Sequence, residues 1–221
     1  MTTITPPLPP PHAIDRAVTA AICTTGHAPK HLLLADMTRP SSQRRFWVLD
    51  LSDPRHPIVD AATRVAHGAG SDPGKTGWPT RFGDTPNSGE TSLGLYRVAE
   101  PYTMAKHGKA YRLDGLSPSD EHARERGVVL HPAAYVSQSG PVGRSLGCPA
   151  LNPSVFTQLD REGELEGSLL WIDGGAATPV PSCTAALVWP TQAAQAIAQS
   201  ATTWWGQKPL PACSPGERHD A

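Results

Sequence analysis

The stretch Gly127-Val-Val-Leu-His131-Pro-Ala-Ala-Tyr135, continued after a polar link by Gly143-Arg-Ser-Leu-Gly-Cys148-Pro-Ala150, organises this chain. The apolar run Val128-Val129-Leu130 predicts a short buried strand that ends on His131. Cys148 follows in a loop that glycine and proline keep from continuing as helix or strand. The chain therefore offers a histidine at a strand end and a cysteine in a turn.

These two residues are the parts of a nucleophile–base pair. A free thiol has a pKa of about 8.5 and is mostly protonated at neutral pH, so it needs a base such as His131 to become a nucleophile. Gly147 lets the backbone curl, and we expect its N–H and that of Cys148 to point at a developing oxyanion. The alternative is a small buried cysteine beside a boundary histidine, which is the commoner role of each residue alone.

A resemblance to a known family favours the catalytic alternative. His131 followed by Ser145-x-Gly147-Cys148 resembles the active-site signature of the YkuD-type L,D-transpeptidases, which usually has His in place of Leu146. With Leu146 and Pro149, the motif resembles that of a divergent branch, the murein L,D-transpeptidase catalytic domain family. Pro132 stands where a glycine is expected after the histidine. The resemblance covers about residues 31 to 173 and includes Ala66-His67-Gly68-x-Gly70-Ser71, Ser92-Leu93-Gly94-x-Tyr96, Lys106-His107-Gly108, Arg112-Leu113-x-Gly115-Leu116 and Ala123-x-x-Arg126.

The resemblance implies a fold and a reaction. The fold would be mainly β (α+β), a sandwich or barrel catalytic domain with short helices. The substrate would be a peptidoglycan stem peptide, cleaved through a thioester on Cys148 with His131 as base, and either cross-linked or hydrolysed. Ser145 would shape the loop or hydrogen-bond the substrate, and the backbone amides from Leu146 to Cys148, that of Gly147 among them, would hold the tetrahedral oxygen. No cofactor is implied.

Four further residues are predicted to bind substrate. Arg144 is the best of three arginines for gripping a carboxylate, with Arg112 and Arg126 behind it. Lys106 offers a second charge, and His107 lies beside it. His67 is expected to line the substrate cleft.

Three other functions stay open at this point. A metal-dependent murein peptidase would bind zinc through His67, His107, His131 and Cys148, although no His-x-x-x-His or Cys-x-x-Cys spacing supports it, and we predict no metal. A cysteine hydrolase would act on a different peptide or ester. An inactive peptidoglycan-binding module would keep the fold alone.

Composition restricts the remaining classes. The chain has 221 residues and a net charge of −1, which gives no electrostatic case for nucleic-acid binding. No apolar run approaches the length of a membrane span, and no signal peptide is visible in Met1-Thr-Thr-Ile-Thr-Pro-Pro. The resemblance nevertheless implies an exported protein of the periplasm or cell envelope, expected to be a monomer. Four cysteines leave the pairing of Cys23, Cys183 and Cys213 open.

The chain is predicted to divide into a proline-rich flexible lead (1–12), a catalytic domain (13–175) and a partly helical extension with a disordered end (176–221). The lead is expected to form no helix. An antiparallel meander is predicted early in the domain, and a strand at 168–173 is predicted to pair with the Val128 strand. Predicted helices are 14–23, one or two turns within 118–126, 155–161 and 191–205. Predicted strands are 31–36, 46–51, 59–66 and 91–98, and 66–89 is predicted to be a long loop.

Overall fold

The computed structural model describes residues 8–53 and 58–184. This part of the chain forms two helices, one short 3₁₀ helix and a single eight-stranded sheet that curls toward a barrel. The elements in order are α1 (Pro11–Thr25), β1 (His31–Asp36), β2 (Phe46–Asp50), β3 (Ile58–Thr63), β4 (Gly94–Met104), β5 (Gly108–Gly115), β6 (Val129–Pro132), β7 (Ala150–Leu151), α2 (Pro153–Glu162), β8 (Leu169–Asp173) and the 3₁₀ helix Gly175–Ala177. The mainly β fold class is confirmed.

The sheet runs in the order β3-β2-β1-β8-β4-β5-β6-β7. The first three strands form the predicted antiparallel meander, and β1 occupies the predicted residues. The prediction for β8 is wrong in its partner: this strand lies parallel to β1 and antiparallel to β4, not beside β6. An apolar run such as Leu169–Ile172 indicates burial on both faces, but it does not specify the neighbouring strand.

Both faces of the central strands are buried. Along β1, Leu33 and Ala35 belong to the core that also contains Leu130 and Phe156. Leu32 and Leu34 point the other way, since side chains alternate along a strand, and they pack with Trp47, Trp171 and the apolar face of α1. Helix α1 therefore covers one face of the sheet.

Two helix predictions need correction. Helix α1 begins at Pro11, inside the segment predicted to form no helix, because proline fits the first turn, where its missing N–H would have no partner. Residues 118–126 adopt turns rather than a helix, and β5 was not predicted as a strand. Helix α2 confirms the prediction: Asn152 accepts a hydrogen bond from Ser154 N and so caps it.

The segment after β8 is fastened to α1. Arg16 Nη2 donates to the carbonyl oxygens of Gly175 and Thr178, and Cys23 forms a disulfide with Cys183. The disulfide settles the partner of Cys23, whereas Cys213 and the helix predicted at 191–205 lie outside the described residues. Within the described part, no helix is both long and apolar enough to cross a membrane.

Candidate active site

The pairing of β6 with β7 brings the histidine and the cysteine loop side by side. These strands are parallel, with His131 opposite Ala150, and His131 N–H donates to Pro149 O at 3.3 Å. The His131 side chain is largely buried, whereas Cys148 is partly exposed and has a free thiol. The first residue of the pair is thus fixed by a strand and the second by the turn leading into the next strand.

Ser145 fixes the conformation of the turn. Its hydroxyl donates to Cys148 O at 2.6 Å and accepts from Gly147 N at 3.1 Å. The backbone of Ser145 is held in turn by the 66–70 segment, since Ser145 N donates to His67 O and Ala69 N donates to Ser145 O. Ser145 is itself buried and therefore acts on the loop, not on a ligand.

Glycine is required at two positions where backbones meet. Gly147 has φ +123°, and a Cβ there would lie 2.8 Å from Glu90 O. A Cβ on Gly68 would lie 2.8 Å from Gly147 Cα. A side chain at either position would force the cysteine loop away from the long 66–89 loop.

The expectation for the Gly147 amide is wrong. Its N–H already donates to Ser145 Oγ and is not free to face an oxyanion. The N–H groups of Leu146 and Cys148 have no backbone acceptor in the described part of the chain. They remain the candidate oxyanion donors, and the Leu146 side chain is 85% exposed beside them.

Opposing influences act on the Cys148 thiol. Burial raises its pKa, while the Val129 backbone N–H and the positive charge of Arg126 favour the thiolate and lower it. Burial dominates, so the pKa lies above the ordinary value. The thiol therefore needs a base close by.

His131 has the tautomer that a base requires. Its Nδ1 lies 3.1 Å from Pro132 O, and a carbonyl oxygen accepts only from a protonated nitrogen, so the lone pair is on Nε2. A backbone carbonyl thus orients the imidazole, and this carbonyl does not depend on the glycine expected at position 132. Burial, with a smaller contribution from His107, lowers the pKa of His131.

Two aromatic groups surround the His131 ring. The His107 ring lies 4.8 Å away between centroids and the Tyr135 ring 6.5 Å away. Burial, together with the nearby Cys148, raises the pKa of Tyr135 to about 12, which keeps its hydroxyl protonated. Tyr135 was missed by the sequence analysis, although it lies four positions after His131 in the same motif.

His67 is not in the substrate cleft. Its side chain is fully buried; Arg45 Nη2 donates to its Nδ1 at 2.7 Å, and its Nε2 lies 3.5 Å from Asp72 Oδ2. Burial and the adjacent Arg45 charge lower the pKa of His67 to about 4. His67 is a neutral structural residue that anchors the long loop, which overturns its predicted role in substrate binding.

The predicted carboxylate-binding residues differ in their surroundings. Arg144 Nη1 donates to Asp72 O at 2.5 Å, so this guanidinium ties the cysteine loop to the long loop. The Arg126 side chain is 4% exposed and donates to Asp84 and to Glu90 O, so Arg126 is not available to bind a substrate carboxylate.

The two other candidates lie on or near the β4–β5 hairpin. The Arg112 guanidinium stacks on the Tyr102 ring. Lys106 is exposed in the turn between β4 and β5, where it is free to meet a ligand.

The four residues considered for zinc do not form one site. Among the described residues, the one group of three metal-capable side chains with converging donor atoms is His31, Asp60 and Glu164, elsewhere in the fold. His67 is committed to Arg45 and Asp72, away from the His107–His131 pair. This distribution removes the arrangement on which a metal-dependent peptidase would depend.

A curled β sheet with a cysteine in a Ser-x-Gly-Cys turn beside a strand-end histidine defines a cysteine–histidine site on a β domain. The model of the L,D-transpeptidase catalytic domain family matches residues 10–171, and the chain belongs to that family. No curated protein matches the sequence.

Solved structures with similar folds are distant in sequence. An L,D-transpeptidase from Mycobacterium smegmatis is 15% identical with a TM-score of 0.39, and the match covers 66% of this chain and 60% of that one. Bd1075 from Bdellovibrio bacteriovorus is 16% identical with a TM-score of 0.44, over 80% of this chain and 57% of that one. The L,D-transpeptidase (Yku) from Stackebrandtia nassauensis is 16% identical with a TM-score of 0.41, over 75% and 68%. The chain thus spans about three fifths of the first of these structures.

Proposed function

We propose that this protein is a cysteine-dependent L,D-transpeptidase that acts on peptidoglycan stem peptides through a thioester. Membership of the family supports the reaction class. The assignment of residues rests on the position of His131, whose strand pairs with the strand that follows Cys148. His131 Nδ1 donates to Pro132 O, which leaves His131 Nε2 as the base.

The first half-reaction forms the acyl-enzyme. His131 Nε2 takes the proton of Cys148 Sγ, and the sulfur attacks the carbonyl carbon of the third stem residue, a diamino acid. The tetrahedral oxygen accepts hydrogen bonds from the N–H groups of Leu146 and Cys148. Collapse breaks the peptide bond, and His131 returns the proton to the departing D-alanine amine.

The second half-reaction consumes the thioester. The amine of a neighbouring stem peptide attacks the carbonyl carbon, His131 accepts its proton, and the Cys148 thiol is restored with a cross-link between two third-position residues. Attack by water gives a tripeptide instead, which is L,D-carboxypeptidase activity. Both outcomes use the same residues and differ only in the acceptor.

Substrate recognition involves the groups around the thiol. The exposed Leu146 side chain offers an apolar contact next to the sulfur. His107 and Tyr135 form the wall beside His131, and Lys106 offers a charge to a stem carboxylate. Arg144 acts indirectly, because Asp72 O already holds its guanidinium.

The proposed location is the cell envelope. Peptidoglycan lies outside the cytoplasmic membrane, and the Cys23–Cys183 disulfide is of the kind that persists in oxidising compartments. Mass spectrometry of envelope and cytoplasmic fractions tests the location. Recovery in the cytoplasm with both thiols reduced would contradict it.

Intact-mass measurement after incubation with a carbapenem tests the nucleophile. We expect one covalent adduct on the wild-type protein and none on Cys148→Ala. An unmodified wild-type protein, under conditions that label a known L,D-transpeptidase, would contradict the proposal. Incubation with stem tetrapeptides then separates cross-linked dimers from tripeptides by chromatography.

A further inference from the structure

Three side chains of the types that ligate metals meet outside the cysteine–histidine site. His31 begins β1, Asp60 lies in β3, and Glu164 follows α2. Each offers one donor atom, and the three atoms all lie within 4.8 Å of one another. One imidazole nitrogen with two carboxylate oxygens is a donor set suited to Zn²⁺.

Two of the donor atoms are shielded from solvent without a hydrogen bond. His31 Nδ1 and Glu164 Oε2 are 3.1 Å apart, yet neither makes a hydrogen bond with a described residue. Ligands at about 2.0–2.1 Å from a tetrahedral zinc ion are about 3.3–3.4 Å from each other. The separation is close to one edge of such a tetrahedron, and a shared cation would satisfy both atoms.

The backbone holds each donor in place. His31 pairs with Asp50 in the β1–β2 ladder. Asp60 is the extra residue where the β2–β3 register shifts, because Val48 pairs with Ala61 and Leu49 with Val59. A bulge of this kind re-aims a side chain relative to its strand.

Glu164 is fixed from both sides. Its N–H donates to Leu159 O at the end of α2, and its carbonyl accepts from Ser168 Oγ. His31 and Glu164 also line a cavity of about 760 Å³. Metal-ligating side chains that are held on strands and on a hydrogen-bonded loop are preorganised to bind an ion.

We propose that His31, Asp60 and Glu164 bind a divalent transition metal, with Zn²⁺ the best match, and that water completes the coordination. The ion would tie the C-terminal end of α2 to β1 and β3. Helix α2 begins just after the cysteine loop and is about 15 Å long. The ion would therefore have a structural role, separate from the chemistry at Cys148.

Titration calorimetry with ZnCl₂ on full-length protein carrying Cys148→Ala tests this site without competition from the active-site thiol. We expect one high-affinity Zn²⁺ per chain. Glu164→Gln should weaken binding more than about 100-fold, since the loss of an outer-shell partner alone costs about 10- to 100-fold. Glu166→Gln is the matched control, because Glu166 lines the same cavity but lies outside the donor group, and it should bind as the parent does.

A second variant and a second readout keep the result decisive. His31→Gln should lose binding in the same way, and thermal melts without metal establish that each variant is folded. Co²⁺ bound to the parent should give visible d–d bands without a thiolate charge-transfer band. Absence of Zn²⁺ binding by the parent, or unchanged affinity in folded Glu164→Gln or His31→Gln, would overturn the proposal and leave a simple ion pair.

Discussion

Ser145 Oγ donates a 2.6 Å hydrogen bond to the carbonyl oxygen of Cys148. The same hydroxyl accepts from Gly147 N, so one buried side chain closes the turn that presents the thiol. The serine of the Ser-x-Gly-Cys motif thereby determines where the sulfur and the amide of Cys148 point.

Ser145→Ala should slow acylation of Cys148 and also destabilise the fold. The variant leaves Gly147 N–H and Cys148 O without their partner, which costs about 1–3 kcal/mol of unfolding free energy. Misplacement of the thiol should slow carbapenem acylation about 10- to 100-fold, measured by time-resolved intact mass. Ser139→Ala, an exposed serine upstream of the loop, is the control. Equal acylation rates in Ser145→Ala and wild type would show that the turn does not need the hydroxyl.

Arg126→Gln should raise the pKa of the Cys148 thiol. The buried guanidinium supplies a positive charge that favours the thiolate, and glutamine removes that charge. The pH dependence of iodoacetamide alkylation measures the thiol pKa. Arg124→Gln is the control, since Arg124 is an exposed neighbour paired with Glu100. An unchanged alkylation profile in folded Arg126→Gln would exclude this electrostatic role.

His107→Gln should shift the acid limb of acylation to higher pH. His131 must be neutral to accept a proton, burial lowers its pKa first, and the neighbouring His107 lowers it further. Without His107 the pKa of His131 rises, and the base is lost at a higher pH. Acylation rates across the acid range measure this limb. Lys106→Gln, in the same turn, is the control: it can change the rate but should leave the pH of the limb where it is in wild type. An acid limb that shifts to lower pH, or does not shift, would contradict the effect of His107 on the pKa of His131.

His67 should make the folded state less stable in acid. Its pKa is about 4 in the folded state and near 6.5 when unfolded, so the unfolded chain binds more protons between these values. Stability therefore falls as pH drops through this window, by about 2 kcal/mol between pH 7 and pH 5.

Urea denaturation at the two pH values measures this effect as a difference between wild type and His67→Gln. The buried carboxyl of Asp120, whose pKa burial raises to about 8, works in the opposite direction but is common to both proteins. Ser139→Ala, an exposed substitution that changes no titratable group, is the control and should show the same pH dependence as wild type. A His67→Gln variant with the same pH dependence as wild type would contradict the buried neutral histidine.

Local sequence predicted most of the strands and the two residues that are proposed to react. Apolar runs marked β1, β2 and β6, because their burial follows from the residues themselves. The Ser-x-Gly-Cys turn was recognisable, since glycine and proline interrupt helices and strands wherever they occur. Helix α1 was placed well in its middle and wrongly at its start, where proline at the first position is favourable.

Contacts between distant segments could not be predicted in this way. The sequence gives the same signal for a histidine that lines a cleft and one buried against an arginine, so His67 was assigned to substrate. The guanidinium groups of Arg126 and Arg144 were equally ambiguous, because a backbone carbonyl and a substrate carboxylate attract them alike. Only the folded structure shows that the Tyr135 ring lies beside the His107 and His131 rings.

The residues that are proposed to react, and the turn that holds one of them, were thus predictable from the sequence, because they depend on chemistry and on local backbone freedom. The tertiary structure alone decided which distant partner each buried polar group has: Arg45 for His67, Asp72 O for Arg144, and Glu90 O for Arg126. These partners come from strand register and loop packing, which long-range burial sets and which no local pattern encodes.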